Sequence, residues 1–282
     1  MDQLLERLTE LGAGFNGRFS IAIHDLQTDK MAELHGAEIF PTASIIKLPV
    51  LCTLMAQCEA GETSLDEPLM LRRADKIGGS GVLQFLTPGL TMCVRDWAFL
   101  MMNISDNLAT NVLIDHVGKS EVQAWLDKHG FHQIQLHRKI DFGALAKDQK
   151  DLGITSAQQM TQLMSGVFLR GLVSPESCAE VMRMMNKVGS DRIGRYLPVS
   201  PYGEDVDDSL KLNLAGKTGS LVGMRGQTAV VWQGEWQKKK AFVLTVLTCD
   251  NPEPETWSPD APGVLFIGRV ARAVYDALLA GK

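Results

Sequence analysis

A serine and a lysine three residues apart are the first side chains in this sequence whose types and spacing could do covalent chemistry. Ser44 and Lys47 bound the segment S-I-I-K, and its flanking residues are mostly apolar. Helix positions i and i+3 share one face, so the two side chains lie close together. Burial among apolar residues lowers the pKa of a lysine, which can then accept the proton of a serine hydroxyl. The alternative is a helix-capping serine followed by a surface lysine.

Two further polar segments favour the catalytic interpretation. An S-D-N tripeptide at residues 105–107 follows an apolar helical run, and the sequence K-T-G-S at residues 217–220 precedes a strand-like pattern. S-x-x-K, S-D-N and K-T-G together are the motif set of the penicillin-recognising serine enzymes. All three occur here in that order, which makes coincidence a poor explanation.

On these motifs the chain resembles the class A β-lactamases and related β-lactamase-like serine hydrolases across nearly its whole length. Residues 94–96, ahead of the S-D-N tripeptide, and residues 154–156, before a later helix, extend the resemblance. The resemblance implies hydrolysis of β-lactams through a covalent acyl-enzyme, as in antibiotic resistance and β-lactam catabolism. It implies no metal and no cofactor.

The resemblance also assigns a role to each motif residue. It implies that Ser44 is the acylated nucleophile and that Lys47 is its proton-relay partner. Ser105 then protonates the leaving nitrogen, and Asn107 holds Lys47 and the substrate amide. Lys217 pairs with Ser105 and with the substrate carboxylate, as suits a fixed ammonium group.

The remaining implied contacts concern the oxyanion and the substrate carboxylate. The backbone N–H groups of Ser44 and Ser220 form the implied oxyanion hole. The hydroxyls of Thr218 and Ser220, next to Gly219, reach the carboxylate. Arg225 is the candidate for a second cation there.

One departure from the family concerns the second chemical step. Class A enzymes activate the deacylating water with a glutamate in an E-x-x-L-N segment, and this chain has no such segment. Asp141 is the acidic residue nearest the expected position and is our candidate for the deacylation base. The alternative is that its short side chain only anchors the loop.

The hydropathy pattern places strands at both ends of the chain and helices in the middle. Strands are predicted at residues 19–23, 30–35, 228–232 and 241–247, and helices at 4–11, 45–59, 94–104, 109–117, 120–129, 157–171, 176–186 and 263–279. Polar loops are predicted at 142–153 and 251–262, and turns at 234–240, around the lysines at 238–240, and at 25–29. We therefore expect an α+β fold, in which an antiparallel sheet built from both termini and flanked by helices joins an all-helical domain. The predicted division is residues 1–43 and 187–282 against residues 44–186, with the active site at their junction.

Composition excludes several classes of protein. The 282 residues are 45% hydrophobic and 22% charged, as in an ordinary globular chain, and a net charge of −5 provides no basic patch for nucleic acid. No run of 18 uncharged apolar residues predicts a membrane span. The five cysteines are widely spaced, which argues against a disulfide framework or a zinc site. The segment ending in Gly216-Lys217-Thr218 lacks the first glycine of a nucleotide-binding loop, and His129, His132 and His137 lack metal-ligand spacing.

These observations leave three functions open. The first is a serine hydrolase acting on a small β-lactam, peptide-like amide or ester. The second is a D-alanyl-D-alanine peptidase or esterase with the same acylation chemistry, which the missing glutamate favours. The third is a retired binding protein, which the intact motifs disfavour. We expect a cytoplasmic monomer without membrane or nucleic-acid partners, or an exported one if a leader has been removed.

Overall fold

Strands lie mainly at the two ends of the chain, and helices fill its middle. The computed structural model describes residues 1–186, 191–199, 212–235 and 240–280. Its strands are β1 (Arg18–Asp25), β2 (Lys30–Leu34), β3 (Phe40–Pro41), β4 (Pro68–Met70), β5 (Thr91–Cys93), β6 (Gln135–Leu136), β7 (Gly153–Thr155), β8 (Leu212–Leu221), β9 (Met224–Gln233) and β10 (Ala241–Cys249). Its helices are α1 (Asp2–Ala13), α2 (Lys47–Ala60), α3 (Val94–Asn103), α4 (Asn107–Val117), α5 (Lys119–Lys128), α6 (Phe142–Leu145), α7 (Ala157–Phe168), α8 (Pro175–Met185) and α9 (Pro262–Leu278).

The main sheet has five antiparallel strands in the order β2-β1-β10-β9-β8. The N-terminal hairpin therefore pairs with strands from the C-terminal third, through partners such as Ile21 and Val246. This confirms the α+β fold with a sheet formed from both termini. Strand β8, which carries the K-T-G-S segment, is an edge strand of this sheet, and isolated bridges to Val199 and Asn186 pair with its outer side at Leu212 and Ala215, ahead of that segment.

Two hydrophobic clusters cover the faces of this sheet. On one face, α1 and α9 pack their apolar stripes, represented by Leu8 and Val270, against residues such as Ile21 and Leu244. On the other face, α7 contacts β1, β9 and β10, and its apolar residues join the core of the central helices. Both terminal helices thus hold the sheet that carries β8.

Helix α2 runs through the middle of the second cluster. Every residue from Lys47 to Met55 is buried, because neighbouring helices pack around it. The stretch Ala43–Ala60 is long and apolar enough to cross a membrane by length and composition, but 67% of it is buried within the protein. Its composition is accounted for by its position as a core helix.

Some sequence predictions differ from the structure in detail. The predicted loop 142–153 contains α6, a short 3₁₀ helix and the start of β7, and the short strands β3 to β7 were not predicted. Strands of two or three residues carry too little periodicity to be recognised. Lys238 and Lys239 of the predicted turn lie outside the described residues. The division into two domains stays a prediction.

Candidate active site

Ser44 lies in a short helical turn against which strand β8 of the sheet packs closely. It is the second residue of a 3₁₀ helix, Ala43–Ile46, which leads directly into α2. Ala43 has a φ of 44°, a conformation that costs a residue with a side chain about 1–3 kcal/mol. Strand β8 packs so closely that a Cβ on Gly219 would lie 3.0 Å from Ala43 Cβ and from Thr42 O. A glycine at this position lets β8 approach the candidate nucleophile.

Lys47 connects the first two motifs. Its side chain is fully buried, and its Nζ donates to Ser105 O at 2.9 Å and to Asn107 Oδ1 at 3.1 Å. The same Nζ lies 3.0 Å from Ser105 Oγ. Lys47 follows Ser44 by three residues along the same helical run, so these contacts bring the S-D-N tripeptide to the predicted nucleophile.

Lys217 approaches the same hydroxyl from the sheet. Its Nζ is 3.0 Å from Ser105 Oγ and also donates to Thr218 O at 3.0 Å. The side chain is fully buried in β8. The Ser105 hydroxyl therefore bridges two buried lysines, and a proton can pass along Lys47, Ser105 and Lys217 without leaving hydrogen-bond distance.

Burial shifts the proton affinity of both lysines. Desolvation, and secondarily the charge of Lys217, lowers the pKa of Lys47 well below its usual value, while Asp106 opposes this shift. Desolvation, and then the charge of Arg192, lowers the pKa of Lys217 to about 7. A lysine with a strongly lowered pKa is partly neutral near pH 7, and the neutral amine is the form that can act as a general base.

Asp106 holds the S-D-N turn in place. Its carboxylate is buried and accepts hydrogen bonds from the backbone N–H groups of Val82, Leu83 and Ala109. Asp106 thereby caps α4 and fixes the preceding loop. Ser105, next to it, has a φ of 57°, and this strained conformation aims its side chain at the two lysines.

Arg192 is a cation of the site that sequence reasoning missed. It is 7% exposed, donates from Nη1 to Gly219 O and Gly226 O, and donates from Nη2 to Ser220 Oγ, each at 2.7 Å. It lies outside the three motifs and reaches β8 through the tertiary fold, so no local pattern marked it. The guanidinium lies beside the K-T-G-S segment, near Lys217.

Arg225, the predicted second cation, has other partners. Its guanidinium donates to the backbone carbonyls of Leu221, Met224 and Thr256, and it lies 4.6 Å from the ring centroid of Trp257. Arg225 and Arg192 are both buried and neither lines the cavity beside Ser44, so the two differ in their partners: Arg192 donates to the Ser220 hydroxyl. In the sheet it lies opposite Ser220, but its side chain extends to a neighbouring loop, so its role as the second cation stays a prediction.

A cavity of about 660 Å³ opens beside Ser44. Its lining combines motif residues with a mostly apolar wall: Ala43, Ser44, Gly79, Ser80, Asn107, Ile140, Phe142, Leu145, Ala146, Lys147, Gln149, Leu152, Ser220, Leu221, Val222 and Trp257. Ile140 is held by its backbone, which exchanges two hydrogen bonds with the Asn111 amide at 2.8 and 3.0 Å. None of these lining residues carries a carboxylate.

Asp141, the predicted deacylation base, is not among the residues that line this cavity. Its Oδ1 accepts from Gly143 N and Ala144 N and caps α6, and the residue lines a separate depression. The segment after Asp141 needs a cap because the first N–H groups of a helix have no partners within it. This geometry matches the loop-anchoring alternative.

The described histidines, cysteines and acidic residues form no candidate metal centre. In the described parts of the chain, no group of three or more His, Cys, Asp or Glu residues could hold a metal ion. His129, His132 and His137 have separate partners: Trp125 O, Asp127 and Lys150 O. All five cysteines are free thiols.

Comparison with known proteins agrees with this geometry. The model of a family described as "Beta-lactamase enzyme family" matches residues 3–278. A beta-lactamase of Rhodobacter capsulatus is 26% identical over 67% of this chain and 64% of its own length. Beta-lactamase CARB-4 of Pseudomonas aeruginosa is 25% identical over 94% of this chain and 88% of its own length.

A solved structure extends the similarity to the backbone. The crystal structure of a beta-lactamase from Sphaerobacter thermophilus DSM 20745 superposes with a TM-score of 0.83 at 28% identity. The alignment covers 98% of this chain and 96% of that one. The match of the family model over nearly all residues shows that this chain belongs to the beta-lactamase enzyme family.

Proposed function

We propose that this protein is a serine hydrolase that opens β-lactams by forming an acyl-enzyme on Ser44. The observation that carries the proposal is the convergence of Lys47 and Lys217 on Ser105 Oγ beside the cavity that Ser44 lines. Two buried amines on one hydroxyl provide both a base for the nucleophile and a donor for the leaving nitrogen.

In the acylation step, neutral Lys47 accepts the Ser44 proton as Oγ attacks the lactam carbonyl. The C–N bond then breaks, and Ser105 gives its proton to the nitrogen while it recovers one from a neighbouring lysine. The N–H groups of Ser44 and Ser220 are the proposed donors to the oxyanion. The product of this step is an ester between Ser44 Oγ and the carbonyl of the opened lactam ring.

We assign the substrate carboxylate to the K-T-G-S segment of strand β8. Lys217 and Arg192 place two cations beside Ser220 and Thr218, and a carboxylate there gains charge-assisted hydrogen bonds. This assignment replaces Arg225 with Arg192 as the second cation. Burial, and then repulsion by Arg192, lowers the pKa of Lys217, and an anionic ligand between the two cations would relieve that repulsion.

No carboxylate among the described residues lines the Ser44 cavity, so we propose that deacylation, and with it turnover, is slow. Water must approach the ester through a cavity whose wall near Ser44 includes Ile140, Leu145 and Leu152. A positioned general base typically contributes about 10²–10⁴-fold. The absence of a lining carboxylate also supports a second candidate, a peptidase or esterase that uses the same acylation step.

The kinetics of ring opening test this proposal. When benzylpenicillin is mixed with the protein, we expect a burst equal to the protein concentration, followed by slow turnover. A small activated ester such as p-nitrophenyl acetate should turn over faster, because its acyl group blocks less of the cavity. Absence of any ring opening, with rapid ester hydrolysis, would favour the esterase.

A further inference from the structure

The mouth of the Ser44 cavity is ringed by apolar side chains that are exposed to solvent. Phe142 is 48% exposed, Val222 is 43% exposed and Trp257 is 57% exposed, and all three line the cavity. Exposed apolar groups that converge on a concave site mark a surface for an apolar ligand. They come from three different segments, so no single loop accounts for the grouping.

Trp257 is fixed in its position by its surroundings. The guanidinium of Arg225 lies 4.6 Å from its ring centroid and also donates to the backbone carbonyl of Thr256. Two backbone hydrogen bonds, Gly223 N to Pro254 O and Asn251 N to Gly223 O, fasten its loop to the β8–β9 turn. An aromatic ring that is already ordered loses little conformational entropy when a ligand covers it.

Phe142 forms the opposite part of the mouth. Its ring lies so close to Gly79 that a Cβ there would be 2.7 Å from Phe142 Cζ. The segment 142–153, which begins with Phe142, is also tied to the end of β8, because Gln149 Nε2 donates to Val222 O at 2.7 Å. The first contact fixes Phe142 against Gly79. The second fixes the β8–β9 turn, to which the loop of Trp257 is also hydrogen-bonded, so Phe142 and Trp257 line one opening.

The direction of β8 shows which part of a substrate enters this opening. The carboxylate of the leaving group belongs among Lys217, Thr218 and Ser220, and the strand continues past them to Leu221 and the turn to which the Trp257 loop is hydrogen-bonded. The two ends of the substrate lie on opposite sides of the scissile bond. The acyl substituent therefore extends toward Leu221 and Trp257.

We propose that Trp257, held in place by Arg225, determines specificity for substrates with a large aromatic or other apolar acyl group. This inference rests on the proposed acylation of Ser44 and names the substrate class that the site prefers. Arg225 acts here as a positioning residue, and Trp257 makes the contact. Stacking of an acyl ring on Trp257 and burial of its apolar surface both favour binding.

Two β-lactams that differ only at the acyl nitrogen test the proposal. Benzylpenicillin carries a phenylacetyl group, and 6-aminopenicillanic acid has a free amine in its place. We expect Trp257→Ala to lower the ratio of their second-order acylation rate constants, benzylpenicillin to 6-aminopenicillanic acid, about tenfold. Trp257→Phe should preserve most of the ratio, and Phe85→Ala, which removes an exposed aromatic ring outside the cavity lining, should preserve all of it.

Calorimetric binding to the Ser44→Ala protein separates this inference from the proposed chemistry. In that background Trp257→Ala should weaken benzylpenicillin binding about tenfold more than binding of 6-aminopenicillanic acid. If the wild-type protein forms no adduct but this difference persists, the proposed function fails and the specificity surface stands. Equal effects of Trp257→Ala on both compounds would overturn the inference, even where both acylate Ser44.

Discussion

The guanidinium of Arg192 lies close enough to Lys217 for its charge to reinforce the effect of burial, and the pKa of Lys217 falls to about 7. Its charged form, which we propose binds the substrate carboxylate, therefore dominates only below that pH in the free protein. As pH rises above about 7, kcat/KM for benzylpenicillin should fall relative to kcat/KM for p-nitrophenyl acetate, by up to about tenfold per pH unit. The pH dependence of Lys47, the proposed base for Ser44, affects both substrates equally and therefore cancels in this ratio. A ratio that stays constant from pH 6 to pH 9 would contradict this role.

Removing the lysine charge should discriminate between the same two substrates. We expect Lys217→Ala to slow acylation by benzylpenicillin by 10-fold or more beyond its effect on the neutral ester, on the order of the charge-assisted contact that is lost. Arg192→Ala should show the same selectivity when 6-aminopenicillanic acid, which has the carboxylate but no acyl group, replaces benzylpenicillin. Arg225→Ala should not, because Arg225 acts through Trp257 on the acyl group. Equal losses for both substrates would mean that Lys217 acts only through Ser105.

Burial of Lys217 also has a consequence for stability. The pKa is about 10.5 in the unfolded chain and about 7 in the folded protein, so between these values the unfolded state binds more protons. The free energy of unfolding should therefore rise with pH in this window, by up to about 1.4 kcal/mol per pH unit from this group. Urea unfolding of the wild type and Lys217→Met at pH 7 and pH 9.5 isolates the contribution as a difference. An identical pH dependence in both proteins would disprove it.

A carboxylate placed at Ile140 should supply the missing base. Ile140 lines the Ser44 cavity, and Asn111 fixes its backbone through two hydrogen bonds, so a side chain there has a defined direction. We expect Ile140→Glu to accelerate deacylation about 10²-fold or more while acylation changes little. Ile140→Gln is the matched control without a titratable group. Similar adduct lifetimes in both variants would show that this position does not reach the water.

Asp141 should matter for the loop rather than for the chemistry. Because its carboxylate caps α6, Asp141→Ala should lower the free energy of unfolding by about 1 kcal/mol, and Asp141→Asn by less, since asparagine is also a good cap. Neither change should alter the lifetime of the acyl-enzyme beyond twofold. A markedly longer lifetime in Asp141→Asn would restore Asp141 as the deacylation base.

Local sequence pattern marks the motif residues of the candidate site, and their catalytic roles stay predictions. Ser44, Lys47 and Ser105 belong to short motifs on helix starts, and the sheet from both termini followed from strand and helix periodicity. Arg192 could not be found in this way, because its contacts with Gly219 and Gly226 join segments that are distant in sequence. Arg225 was proposed from the family resemblance, and the sheet does pair it with Ser220, but the direction of a long side chain depends on tertiary neighbours that the sequence does not show.

The roles of the loop residues were equally beyond local pattern. Asp141 lies at the position along the chain where a base was expected, yet two backbone N–H groups fix its carboxylate elsewhere. Trp257 lies in a proline-rich loop, where no hydropathy period marks it. Its role becomes visible only in the structure, in which Arg225 lies over its ring and Trp257 lines the Ser44 cavity.

Intact-mass spectrometry of the protein mixed with benzylpenicillin tests the central claim most directly. The account predicts that the wild type gains the mass of one whole penicillin molecule within the burst phase, that peptide mapping places it on Ser44, and that Ser44→Ala gains nothing while keeping its fold. An adduct of undiminished yield on Ser44→Ala, or its location on any other residue, would contradict the account.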